Sequence, residues 1–305
     1  MSVTGALARL KRDLTGEVRA SEPMARHTTF RVGGPAAIYI VLDVMSDVGC
    51  AVSVLADEGV PFVILGKGSN LLVSDEGYDG AVLVLGREFK KHSFDEGVLK
   101  AGAATVLGVL VQDAFHLGLA GLSWGVGIPG TLGGALAMNA GTRHGWISQI
   151  ADSVTLYVPD EGLRLVRGRD VSWGYRTSGL AGRGIILEAT LKVDEGDRTR
   201  IRAEMERYLR ERKTSQPMGI PSAGSVFLNP EGDSAGRLIE SAGCKGMRLG
   251  GALVSLAHAN FIVNDGGATA ADVVRLMDKV RTTVKDIHGV ELRPEIRFLG
   301  RFDET

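Results

Sequence analysis

Cysteine is scarce in this chain. Only Cys50 and Cys244 occur among 305 residues, and neither belongs to a CxxC or CxxxH pattern. That excludes a disulfide framework and a structural zinc site, and it points to a reducing compartment. Net charge is scarce too. The 35 Lys and Arg nearly cancel the 36 Asp and Glu, leaving a formal charge of −1, so no whole-molecule field selects nucleic acid or an anionic membrane as partner. The N-terminal stretch has no unbroken apolar run of the kind a signal peptide needs, because Arg9, Lys11, Arg12 and Asp13 interrupt it. No GxxxxGK[ST] occurs, which excludes a P-loop. One uncharged stretch, Leu117 to Thr142, is 26 residues long, more than a bilayer span requires, yet it holds eight glycines and Pro129. In hydrocarbon such clusters would leave backbone groups unpaired, so a ligand-facing loop is expected there instead.

What the chain has in excess is glycine. There are 42, about 14% against an ordinary ~7%, with no collagen-like period of three. An apolar fraction of 44% and a charged fraction of 23% are those of a globular protein, and the length fits two domains or one large one.

Val3, Leu7, Leu10, Leu14 and Val18 recur at helical spacing and predict an opening helix. A strand is expected over 28–32, and then a βαβ unit from Ala36–Leu42, Ser46–Glu58 and Phe62–Leu65. Leu71–Val73, Ala81–Leu85 and Val98–Ala101 read as short strands whose connections are too brief for crossover helices, so the sheet should be mixed and not doubly wound. A helix over 105–119 and strands over 154–158 and 185–193 complete this half. Arg198 to Lys213 carries seven Lys/Arg against three Asp/Glu, with Ile201, Met205 and Leu209 four apart, and predicts a helix with a solvated basic face. A strand-helix-strand-helix-strand series then runs to Phe298. The domain boundary is placed near residue 195: 1–195 as one domain and 196–305 as a smaller one.

Two glycine segments carry the binding expectation. In Gly66-Lys67-Gly68-Ser69-Asn70, between apolar runs, glycines permit positive φ, so that successive N–H groups can converge on an anion. An ordinary hairpin turn fits the same residues. The second segment, Ser123 to Gly141, contains GxGxxG at Gly125, Gly127 and Gly130, but no convincing strand precedes it and no acidic residue ends the next one. A Rossmann site is therefore rejected. Thr131 can cap a short helix whose first N–H groups face an anion, while Gly133 and Gly134 permit close approach. Two such loops suggest an extended ligand with a pyrophosphate.

Six ordered stretches carry a resemblance: 27–34, 66–72, 127–134, Gly174-Tyr175-Arg176-Thr177-Ser178, Ala223-Gly224-Ser225-Val226-Phe227, and Arg293-Pro294-Glu295-Ile296-Arg297. On these the chain resembles the UDP-N-acetylenolpyruvoylglucosamine reductase family, the flavoenzymes of peptidoglycan precursor synthesis, over about 28–299. The resemblance implies an α+β fold: an FAD-binding domain of the vanillyl-alcohol oxidase type, then a substrate domain whose final strand carries Glu295. The interval of 49 residues from Arg176 to Ser225 looks like the subgroup without a tyrosine-bearing lid loop. Also implied are FAD and NADPH as cofactors, a sugar nucleotide as the small-molecule partner, no nucleic-acid or membrane partner, a cytoplasmic location and a role in cell-wall biogenesis. The cofactor positions carried over are Gly66, Lys67, Gly68, Ser69, Asn70, Gly127, Ile128, Pro129, Gly130, Thr131, Gly133, Gly134 and Asn139.

The implied reaction reduces an enolpyruvyl ether to a lactyl ether. Hydride addition pushes charge toward the substrate carboxylate, which Arg176 can meet bidentately, assisted by Glu295 if its surroundings hold it protonated. The carbon then needs a proton, and Ser225 matches the family's donor. Lys213 and Asn229 match substrate-contacting positions, with Lys213 a point charge for a diphosphate. Taken without the family, Ser225 fits a Gly-Ser turn, Arg176 a surface pair and Glu295 a strand edge. His27, His116 and His258 show no metal spacing and read as packing or hydrogen-bonding residues, and Trp124 as packing. The competing functions are another oxidoreductase on the same flavin fold, or a protein that binds flavin or sugar nucleotide without turnover.

Overall fold

A computed structural model describes residues 2–302. The chain divides into two compact units, the first made of 1–20, 38–67 and 80–210 and the second of 21–37, 68–79 and 211–305. Both are discontinuous in sequence. The α+β class expected from the sequence is the class observed.

In the first unit Ser2 caps the helix Val3–Asp13 by accepting the Gly5 N–H at 2.9 Å. This helix is shorter than the periodicity predicts, since Leu14 is extended and Val18 opens a strand. Gly16 explains the change of direction: a Cβ there would lie 1.8 Å from the Val41 carbonyl oxygen, a contact that only glycine allows. Phe62–Ile64 pairs in parallel with Tyr78–Leu85, in a four-stranded sheet ordered Val18–Pro23, Pro35–Leu42, Tyr78–Leu85, Phe62–Ile64. A separate five-stranded sheet, antiparallel throughout, runs Gly162–Arg167, Ala151–Val158, Ile185–Lys192, Val98–Gly102, His92–Asp95. The single mixed sheet expected is therefore two sheets. Leu10, Ile40, Leu55, Leu83, Leu99 and Leu107 are among the fully buried side chains of this unit's core.

The second unit has its own core, with Phe30, Leu72, Phe227, Ile239 and Leu276 fully buried or nearly so. Its longest helix, Ala270–His288, buries the stripe Val273, Leu276, Met277, Val280 and Val284, starts in a reciprocal Thr269/Asp272 capping box and stops at Gly289 with φ +68°. The strand expected over 28–32 is instead a turn: Arg31 has φ +56°, its N–H donates to the Thr28 carbonyl, and Thr28 Oγ1 donates to the Val32 carbonyl at 3.1 Å. Alternating side chains suggested a strand, but threonine hydroxyls can satisfy local carbonyls and so favour a turn. No helix among the described residues is long and apolar enough to cross a membrane.

The strand Leu71–Val73 pairs in parallel with Arg297–Leu299, and not with Phe62–Ile64. The turn at 66–70 is thus no hairpin. Just beyond it, Asp75 accepts the N–H groups of Ala270 at 2.7 Å and Ala271 at 3.0 Å, one on each carboxylate oxygen. These are two of the four N–H groups that a helix start leaves without partners, and the carboxylate also meets the positive end of the helix dipole. Asp75→Ala should lower unfolding stability by about 1–2 kcal/mol, measured by urea denaturation, with Asp75→Asn recovering part of the loss; an unchanged midpoint would show that the cap contributes nothing.

Candidate active site

The first unit holds all of the second glycine segment and, of the first, Gly66 and Lys67. A Cβ at Gly66 would lie 2.7 Å from Thr131 Oγ1, so the backbone of one bend rests against the side chain of the other. Thr131 caps the short helix Leu132–Ala137 as expected, accepting the Gly134 N–H at 3.3 Å. The expectation that this helix start faces an anion is overturned, however. The Leu132 N–H goes to the Thr105 carbonyl at 2.9 Å, Gly133 to Ala103 at 2.8 Å, and Ala135 to Thr131 at 2.9 Å. The close approach that Gly133 permits is by its own chain, since a Cβ there would lie 2.9 Å from the Ala103 Cβ.

Other donors remain in the same bend. Among the described residues the N–H groups of Gly127, Gly130 and Thr131 donate to no carbonyl, and Gly127 and Gly130 have φ of +72° and +154°. Beside them Thr105 is 3% exposed, and its Oγ1 is buried without a hydrogen-bond partner. A buried hydroxyl left so costs about 1–3 kcal/mol, which a polar ligand group would offset. Sequence reading missed Thr105, because nothing in its neighbours marks it; only the fold buries it beside Thr131. Bare N–H groups, an unsatisfied hydroxyl and a glycine where any side chain would intrude fit the phosphate-bearing part of a dinucleotide.

Arg176 also belongs to the first unit. It occupies the second position of the two-residue turn Tyr175-Arg176 between the paired residues Gly174 and Thr177, with φ +56°. Glycine or asparagine is the usual choice there. Its Nη1 donates to the Gly141 carbonyl at 2.8 Å. Asn139 is buried, with Nδ2 donating to the Gly174 carbonyl at 2.9 Å and Oδ1 accepting the Ser148 N–H at 3.3 Å.

The second unit holds Gly68, Ser69, Asn70, Lys213, Ser225, Asn229 and Glu295. Gly68 has φ +60°, and a Cβ there would lie 2.3 Å from the His27 carbonyl. Ser225 ends the strand Ser222–Ser225, after an irregularity in its pairing with Phe261–Asn264 and just beyond Gly224 with φ +77°. The Glu295 N–H donates to the carbonyl of Val226, the residue after Ser225, at 2.8 Å. Asn70 Nδ2 donates to the Glu295 carbonyl at 3.2 Å. Ser225, Glu295 and Asn70, separated widely in sequence, are thus neighbours. Glu295 lies two residues ahead of the last strand, Arg297–Leu299, and not within it. Asn229 Oδ1 accepts the Ala235 N–H at 3.0 Å, at the start of the helix Ala235–Ser241, and Lys213 is exposed near the end of Arg198–Ser215. His258 Nδ1 accepts the Asn260 N–H, its ring packs edge-on to Phe261, and burial, aided by Lys245, pushes its pKa down, as suits a packing histidine.

Models of known families match both parts of the chain. A UDP-N-acetylenolpyruvoylglucosamine reductase C-terminal domain matches residues 216–299, and an FAD binding domain matches 36–164. The UDP-N-acetylenolpyruvoylglucosamine reductase of Heliobacterium modesticaldum is 44% identical over 297 residues, spanning 96% of this chain and 94% of that one. The chain belongs to the UDP-N-acetylenolpyruvoylglucosamine reductase family. The family's member from Geobacter metallireducens is 42% identical over 301 residues, covering 96% and 97% of the two chains. In the same reductase family, the crystal structure from Thermus caldophilus superposes with a TM-score of 0.82 at 36% identity, covering 94% of this chain and 99% of that one.

The backbone at Arg176 gives a test that is independent of activity. Arg176→Gly and Arg176→Ala both remove the guanidinium, but only glycine adopts positive φ without strain. In urea denaturation the glycine variant should be the more stable by about 1 kcal/mol; equal midpoints would mean that the turn stores no strain.

Proposed function

We propose that this chain reduces UDP-N-acetylenolpyruvoylglucosamine to UDP-N-acetylmuramate with NADPH as reductant, in the cytoplasmic synthesis of peptidoglycan precursors. The observation that carries the reading is the fastening of Glu295 both to Asn70 and to Val226, the neighbour of Ser225, in a chain similar to reductases over almost its whole length. Residues 1–195 serve the flavin and 196–305 the sugar nucleotide.

FAD, when bound, supplies the hydride-transfer chemistry. The bare N–H groups of Gly127, Gly130 and Thr131, with the Thr105 hydroxyl, would hold its phosphates, and Gly66, Lys67, Gly68, Ser69 and Asn70 would add further contacts to it. The enolpyruvyl carboxylate is met by Arg176, whose planar fork suits two oxygens and whose charge offsets the electron density that arrives there during reduction. Glu295 assists in its neutral form, in which it can donate a hydrogen bond. Ser225 holds at Oγ the proton that the substrate carbon receives. A hydroxyl suffices for this only because the carbon is far more basic than a carboxylate once it is charged. Lys213 and Asn229 contact the sugar nucleotide, Lys213 as a mobile point charge for its diphosphate.

The purified protein is expected to be yellow, to bleach with NADPH and to regain colour when the enolpyruvyl sugar nucleotide is added. Ser225→Ala should leave bleaching nearly intact and slow the return of colour by about 10²-fold or more, because only that half of the cycle needs the proton. A protein that neither carries nor takes up flavin would end this reading, as would a variant in which both halves slow equally.

A further inference from the structure

Arg176 is a long, flexible side chain, and its task under the function proposed above is one of angle: a guanidinium binds a carboxylate through two parallel N–H groups only when its plane is aligned with it. Freezing such a side chain costs rotamer entropy unless the protein has already done so. The structure shows what restrains it. The guanidinium carbon lies 5.4 Å from the centroid of the Trp146 ring and 5.5 Å from that of Tyr175, and the two rings meet edge to face at 6.0 Å. Tyr175 is 46% exposed and adjacent in the chain, so it adds little restraint of its own.

Trp146 is anchored differently. It pairs with Gly141 across the short strands Gly141–Thr142 and Gly145–Trp146. A Cβ on Gly141 would lie 2.4 Å from the indole Cε3, so the ring lies directly on the bare backbone whose carbonyl accepts Arg176 Nη1. Ring and carbonyl therefore form one rigid seat. Asn139 ties that seat to the turn carrying Arg176, through its bonds to Ser148 N–H and the Gly174 carbonyl. An aromatic face attracts a guanidinium without occupying its N–H donors, which suits a group whose donors are meant for a substrate.

We propose that Trp146 is a positioning residue for Arg176, fixing the plane of the guanidinium that receives the enolpyruvyl carboxylate. The inference rests on the reductase reading for its consequence, but not for its geometry. Trp146→Leu keeps an apolar side chain and removes the ring; Trp146→Phe keeps a ring. Trp146→Leu should slow the return of colour with the enolpyruvyl sugar nucleotide by about ten-fold, while bleaching by NADPH and the melting midpoint stay as in the unmodified protein. Trp146→Phe should restore most of the lost rate. Independently of turnover, the Arg176 Hε resonance, identified by its loss in Arg176→Gln, should show an upfield ring-current shift that largely persists in Trp146→Phe and falls in Trp146→Leu to the part owed to Tyr175. Equal rates in the Leu and Phe variants, or no ring-current shift in the unmodified protein, would overturn the proposal, and the latter decides it even if Trp146→Leu fails to fold. If the unmodified protein does not turn over the enolpyruvyl sugar nucleotide, the functional reading falls while the resonance still decides the role of Trp146.

Discussion

The hydrogen bond from Asn70 Nδ2 to the Glu295 carbonyl is the contact on which the second unit's reactive edge depends. Asn70 also accepts the Arg297 N–H on its own carbonyl, at 3.0 Å, so one residue spans both sides of the segment that carries Glu295. That double engagement sets the register of the parallel pair Leu71–Val73 and Arg297–Leu299. The bond from Glu295 N–H to Val226 then holds the same segment beside Ser225. Three stretches of chain with no local reason to meet are joined by main-chain groups, and the candidate side chains inherit their placement from them.

The glycine-rich bend of the first unit is organised on the opposite principle. There the informative groups are those left over after the fold has used the rest. Leu132, Gly133 and Ala135 spend their N–H groups inside the protein, whereas Gly127, Gly130 and Thr131 do not. An unbonded donor in water costs little, but several in one bend, with a buried unpartnered hydroxyl in the same unit, are groups that an anion can satisfy. The abundance of glycine thus has two separate causes. At Gly133 and Gly68 it lets the chain touch itself, and at Gly127 and Gly130 it turns the backbone outward.

The sequence was legible wherever the signal is local. Helical periodicity located Arg198–Ser215, and short apolar runs located seven strands, among them Pro35–Leu42, Tyr78–Leu85 and Ile185–Lys192. It misled where a distant partner decides. The 28–32 segment alternates like a strand, but Thr29 donates to the Ser222 carbonyl at 2.7 Å, 193 residues away, and its neighbours turn to allow it. Hairpin and open turn could not be separated at 66–70, because the strand that resolves them, Arg297–Leu299, lies at the other end of the chain. The order of motifs disclosed Arg176, Ser225 and Glu295, yet neither Thr105 nor Trp146, since burial and stacking are properties of the folded surroundings and leave no pattern in neighbouring letters.

The parallel pairing of Leu71–Val73 with Arg297–Leu299 also has a consequence for biosynthesis. Every segment of the first unit has been made by residue 210, so it can close while translation continues. The second unit cannot. Its early strand, bearing Leu72 and Val73 that the finished protein buries completely, must wait for Arg297–Leu299, more than 200 residues later in the chain. For that interval the nascent polypeptide displays an unpaired apolar edge, the kind of surface that chaperones cover and that otherwise seeds aggregates.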